Sequence, residues 1–176
     1  ATGVEPGPGS DILTGRYACY DVYRCADGRW LAVGAIEPRF FANLCRALGL
    51  EAWIPHQLDD ARQGELRAAL AAAFATRPRD AWAAELGPGD CCVAPVLSVA
   101  EATRDPGFAA RGAWAEAEHP THGRVRQVGA VLAGQLAPDG PARARDAAET
   151  DTDALLREAG LAPAAIAALR REGIVA

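Results

Sequence analysis

The sequence predicts an α/β chain of short strands and ordinary helices, and three observations predict it. Two β-rich runs flank an Asp27-Gly28 pair, apolar residues recur at helical spacing in later segments, and proline or glycine punctuates the intervals. Half of the 176 residues are hydrophobic and 23% are charged, a balance that supplies a core and excludes a disordered chain.

Residues 1–15 read as loop, because Pro6, Gly7, Pro8, Gly9 and Gly15 leave no room for a regular element. Runs 17–25 and 29–36 carry Tyr17, Tyr20, Val22, Tyr23, Trp30, Leu31, Val33 and Ile36 and read as strands. Asp27-Gly28 joins them as a hairpin, since a tight turn needs residues that tolerate positive φ. A helix follows over 38–48. Proline suits its first position, where no amide donor is needed, and Phe40, Phe41, Leu44, Cys45 and Leu48 share a face before Gly49 stops it.

A second helix covers 61–75 on a stripe of Leu66, Leu70 and Phe74. A third, Arg79–Leu86, carries Trp82 before Gly87-Pro88-Gly89 breaks it. Segment 92–97 reads as a strand, which Pro95 makes an edge strand or an irregular piece. Ser98 and Glu101 have capping-box spacing for a short helix that ends near Asp105-Pro106. Segments 113–118 and 124–128 pair as strands around the His119-Pro120-Thr121-His122-Gly123 loop. Residues 138–149 lack periodicity and read as a linker. Beyond it, helices from Thr152 to Glu158 and from Pro163 to Gly173 carry Leu155, Leu156, Leu161, Ile166 and Leu169, an apolar face with no partner nearby in sequence.

Composition narrows the function. All 18 basic residues are arginine, so Schiff-base chemistry, a pyridoxal-phosphate anchor and a Walker-type lysine have no residue to carry them in this chain. A net charge of −5 argues against a nucleic-acid partner. The longest alanine-rich apolar stretch, 68–75, falls far short of the roughly 20 residues a bilayer span needs, and the Gly- and Pro-rich start lacks the basic flank and apolar segment of a secretion signal. A start at Ala1 without methionine fits a processed terminus or a fragment of a longer protein.

Cys19, Cys25, Cys45, Cys91 and Cys92 match no zinc or redox spacing and are expected as buried free thiols in a reducing cytoplasm. His56, His119 and His122 are expected in exposed loops, because further metal ligands at suitable spacing are missing; no metal is expected. Glu37 has two readings at its strand–helix junction. It complements the partial positive charge of a helix start, worth about 0.3–1 kcal/mol, or it presents a catalytic carboxylate from a rigid scaffold. Spacing alone favours the first.

The segment 20–40, from Tyr20-Asp21-Val22-Tyr23 through Asp27-Gly28-Arg29-Trp30-Leu31 to Gly34-Ala35-Ile36-Glu37-Pro38, resembles the family III CoA-transferases, and most of all their α-methylacyl-CoA racemase branch. Arg79-Asp80-Ala81-Trp82 with Asp90-Cys91-Cys92-Val93-Ala94-Pro95-Val96-Leu97 is similar to the family's middle signature. The stretch from Asp105-Pro106 to Arg111-Gly112 resembles its next one. Asp151-Thr152-Asp153 through Gly160-Leu161 to Gly173-Ile174-Val175 resembles its C-terminal helices.

The resemblance implies a three-part organisation: a loop over 1–15 leading from a Rossmann-like large domain, a small α+β domain over 16–112, and a segment over 113–176 that returns to the large domain. It implies an interlocked homodimer, an acyl-CoA thioester substrate in fatty-acid metabolism, and no cofactor beyond the coenzyme A of the substrate. A histidine and an aspartate of the large domain move the α-proton in that branch, and Glu37 matches the carboxylate that orients the histidine. With the motif in view, Glu37 becomes the expected catalytic residue. Leu13, Tyr20 and Ile36 match positions near the acyl chain.

The chain departs from the pattern at Gly15-Arg16-Tyr17-Ala18, where the family carries small residues and proline. A transferase of the family, working through an aspartyl intermediate, is the second expectation; its glycine-rich loop is poorly matched by Gly7-Pro8-Gly9. A non-catalytic dimerisation module is the third.

Overall fold

Asp27-Gly28 does close a hairpin, though over a longer loop than a two-residue turn. In the computed structural model, which describes residues 3, 5, 7–130, 132, 134, 140–146 and 149–175, β1 (Tyr20–Arg24) and β2 (Trp30–Gly34) run antiparallel with Arg24 opposite Trp30. The Gly28 amide donates to Cys25 O at 2.9 Å and the Cys25 amide to Arg29 O at 2.8 Å. Gly28 is the turn's left-handed residue, with φ of +78°. Asp27 contributes through its side chain instead, accepting from the backbone amides of Arg29 and Arg79. One glycine therefore suffices where a mirror-image turn needs two permissive residues.

The chain forms two compact units, Ala1–Ser98 and Val99–Ala176. In the first, β3 (Val93–Pro95) pairs antiparallel with β2, giving the order β1-β2-β3 with Pro95 on the edge strand. Strand alternation splits the sheet into two faces. Tyr23, Leu31 and Val33 are buried, whereas Tyr20, Val22, Ala32, Gly34 and Ala94 look the other way and keep solvent contact.

The buried face is covered by α1 (Pro38–Ala47), α2 (Gln63–Phe74) and α3 (Arg79–Leu86). Phe41, Leu44, Cys45, Leu66, Leu70 and Phe74 lose all solvent contact. The Phe74 ring lies 5.2 Å from Tyr23 and 5.9 Å, edge-on, from Trp82, whose Nε1 donates to Phe74 O. Such ring contacts add to area burial. Two segments expected as loop carry short 3-10 turns, Ile12–Thr14 and Glu51–His56. The second packs Trp53 and Ile54 against the core, so burial organises a stretch with no clean helical period.

The second unit is built from short pieces. The short helix expected after Ser98 forms as α4 (Val99–Ala102), ending three residues before Asp105, and a further helix α5 (Pro106–Ala110) follows, capped by Asp105, whose carboxylate accepts from the Phe108 amide at 3.0 Å. The hairpin β4 (Trp114–His119) and β5 (Gly123–Val128) forms as expected. His119 holds its loop, Nδ1 accepting from the amides of Thr121 and His122.

The expected linker 138–149 is corrected in part. Ala142–Arg143 forms β6, parallel to β4, with Ala117 opposite Ala142; positions 138, 139, 147 and 148 lie outside the described residues. Finally, α6 (Thr152–Glu158) and α7 (Pro163–Arg171) are joined by Asp153, which meets both Arg157 and Arg170. Among the described residues, no helix is long and apolar enough to cross a membrane.

Candidate functional site

The outer face of the β1-β2-β3 sheet is hollow because its central positions are small. Ala32, Gly34 and Ala94 form the floor of a cleft of about 600 Å³, flanked by Tyr20, Val22 and Cys92 and walled by Leu13, Thr14 and Gly15. A residue larger than glycine at 34 would put its Cβ 3.8 Å from Cys92 O and 4.0 Å from the Tyr20 ring, already in contact with both walls. The cleft is apolar in its lining yet open to water: Leu13 is 62% exposed and Val22 51%. Exposed apolar surface that lines a concavity marks a binding groove better than scattered surface leucines do.

The wall bearing Leu13 is tied down by arginines. From α2, Arg67 Nε donates to Asp21 Oδ2 at 2.7 Å and its Nη2 to Gly15 O at 2.7 Å, so one guanidinium joins the loop to β1. Arg16 forms a two-point pair with Asp60, at 3.1 and 2.8 Å, and that pairing holds the Asp60 carboxyl below its ordinary value. Gly15 makes the bend possible, with φ of +90°.

Glu37 sits just beyond β2 as the residue preceding the first turn of α1. Its backbone is extended and its carbonyl accepts from the amides of Phe40 and Phe41, so the helix start is satisfied by main chain. The side chain is exposed and makes no capping hydrogen bond. Pro38 fixes the next φ. Behind the residue, the buried Gln57 donates from Nε2 to Ala35 O at 3.0 Å and Ile36 O at 2.7 Å. Among the described residues this carboxylate has no hydrogen-bond or ion-pair partner, and the backbone that carries it is pinned by Gln57 before it and Pro38 after it.

Of the four residues expected at the site, Leu13 and Tyr20 meet in the cleft. Ile36, half-buried, and Glu37 lie at the end of β2 and do not line it. Cys92 links the two regions. It borders the cleft, and its thiol is pushed up by loss of surrounding water, then by the carboxylates of Glu37 and Asp90. The expectation of five buried thiols needs correcting at this residue: Cys19, Cys25, Cys45 and Cys91 are buried, whereas Cys92 is exposed, with φ of +50°.

Sequence reasoning missed Gln57, Gln63 and Arg67. The two glutamines sit among loop and helix-start residues where polarity is ordinary, and Arg67 falls one position off the Leu66–Leu70 stripe; no spacing marks any of them. The buried Gln63 accepts from the Ala18 amide at 2.9 Å and donates to the carbonyls of His56, Gln57 and Asp59, so it is the anchor on which Gln57 stands.

The family model for CoA-transferase family III matches residues 1–151. The α-methylacyl-CoA racemase of Mus musculus is 41% identical over 95 residues, 53% of this chain and 25% of that protein. The human enzyme of the same name is 34% identical over 115 residues, 65% of this chain and 30% of its own length. The chain therefore spans less than a third of the curated relatives it matches. Among solved structures, Rv3272 from M. tuberculosis in its orthorhombic form superposes with a TM-score of 0.53 at 20% identity, over 64% of this chain and 33% of that one, a likeness of fold.

Proposed function

The chain belongs to CoA-transferase family III, and from that premise we propose that the whole protein epimerises 2-methylacyl-CoA thioesters, removing and returning the α-proton through an enolate. Two curated relatives at 41% and 34% identity are racemases, which supports isomerisation over acyl transfer. In this reading residues 16–112 are the small domain, residues 113–176 return to a large domain, and the active site completes itself across a homodimer.

The observation that carries the reading is the exposed carboxylate of Glu37, uninvolved in capping its helix, on a fixed junction. A thioester carbonyl acidifies its α-hydrogen enough for one group to take the proton while another returns it on the opposite face. General acid–base help of this kind gives about 10²–10⁴-fold, and stabilisation of the enolate oxygen supplies the rest. Glu37 accepts a hydrogen bond from the catalytic histidine, orients its ring and stabilises the imidazolium that forms after proton removal. Leu13 and Tyr20 take the acyl chain in the cleft, with Ile36 at its margin. Coenzyme A enters as part of the substrate.

The test is α-proton exchange on 2-methylacyl-CoA in D₂O, followed by NMR in the whole protein. Glu37→Gln is expected to slow exchange by about tenfold or more while the fold persists. Wild-type exchange in that variant would leave Glu37 a helix-end charge. CoA transfer to a free acid without α-exchange would instead assign the protein to the transferases.

A further inference from the structure

We infer that Gln57 is the positioning residue for Glu37, holding the carboxylate in register through the two peptide groups that precede it. The inference rests on the reading of Glu37 given above. Its basis is geometric. Strand pairing of β2 ends at Gly34, and α1 begins at Pro38. Between them, Ala35 and Ile36 turn their carbonyls away from the sheet ladder, and one amide side chain takes both. Among the described residues, the other backbone hydrogen bond in that interval is Ile36 N–H to Gly34 O at 2.9 Å, and the Ala35 side chain packs in the core.

Gln57 suits this task because both amide donors are used. Nε2 has two donors, and each finds a carbonyl. The backbone of Gln57 is itself held, its carbonyl accepting from Gln63 at 3.2 Å, while Gln63 also takes the Ala18 amide. Buried polar chains in which every member is satisfied are rigid. This one runs from β1's approach through α2 to the residue before Glu37. Side chains that act through precise placement lose rate steeply when displaced by about 1 Å, so slack at Ile36 reaches Glu37 directly.

A double-mutant cycle in the whole protein tests this, read as α-proton exchange of 2-methylacyl-CoA in D₂O. Gln57→Leu is expected to lower kcat by about tenfold and leave KM unchanged, since ground-state binding in the cleft does not involve it. In a Glu37→Gln background the same change is expected to add less than about twofold, because a group acting through Glu37 has nothing left to position. Multiplying effects, or wild-type kcat in Gln57→Leu, would overturn the role of Gln57 while the Glu37 reading stands. A silent Glu37→Gln would remove both.

Two controls separate positioning from general loss of stability. Leu70→Ala, in the core of α2 and remote from the junction, is expected to lower the melting temperature and keep kcat. Gln57→Asn, whose amide is drawn back by one methylene, is expected to slow turnover with helix content intact by circular dichroism, and it serves where Gln57→Leu does not fold; normal kcat in Gln57→Asn would count against the proposal.

Discussion

In the first unit Phe41, Leu44, Leu66, Leu70 and Phe74 are shut off from solvent; in the second, among the described residues, the buried hydrophobics are Ala117 and Ile166. The first unit has three helices over one sheet face and can hold a side chain still. The second is made of short elements linked by local hydrogen bonds and by surface ion pairs such as Glu116–Arg126 and Asp153–Arg170. Pairs of that kind contribute little individually. Leu155 and Ile174 remain 60% and 64% exposed. The difference teaches that size and helix content do not by themselves make a rigid platform. A sheet face covered by helices does, and Glu37 sits at the junction where that sheet hands over to α1.

The largest effect expected is in the first core. Phe74→Ala should cost about 3–5 kcal/mol in denaturant melts followed by tryptophan fluorescence, through lost packing on Tyr23 and Trp82 and the cavity left behind. Leu155→Ala, by contrast, should change stability by less than about 0.5 kcal/mol. Comparable losses at the two positions would break the contrast between the units.

A smaller loss, about 1–3 kcal/mol, is expected for Gln63→Leu, which strands the Ala18 amide and three loop carbonyls within the first unit. The measurement is again the denaturation midpoint, and an unchanged midpoint would mean that water reaches these groups.

Alkaline pH probes the same core. Burial pushes the Cys45 thiol up to about 12 from 9.0, and it raises Cys19, Cys25, Cys91 and the Tyr23 phenol as well. These groups ionise first in the unfolded chain, so unfolding releases protons above 9.0. The melting temperature should be insensitive to these groups below that value and fall as pH rises from it towards 12. A melting temperature that holds or climbs over that window would contradict the burial of these groups. The mildest test leaves stability alone: alkylation under native conditions should modify Cys92 before the four buried thiols, read by mass spectrometry.

Much of this was legible in the chain. The hairpin, the helix after Pro38 and the Leu66–Leu70–Phe74 stripe follow from turn chemistry and apolar period, which are local properties. So did the place of Glu37 at a helix start. What stayed hidden was non-local. The contact of Gln57 with Ala35 and Ile36 joins residues 22 and 21 positions apart, and that of Arg67 with Gly15 spans 52. Pairings that depend on how elements pack leave no period in a sequence. The same reason explains β6, whose two residues pair only because β4 offers an open edge. The cleft was half visible: Tyr20 and Leu13 were named through a resemblance, but the floor of Ala32, Gly34 and Ala94 emerges only when three strands are set side by side.

In the proposed reading Glu37 positions a proton-moving group and moves no proton itself, so the most direct measurement is deuterium incorporation at the α-carbon of 2-methylacyl-CoA by the purified 176-residue chain in D₂O. Incorporation at the buffer rate is the predicted result. Incorporation well above buffer that disappears in Glu37→Gln would make Glu37 the base, and would contradict the role given to it here.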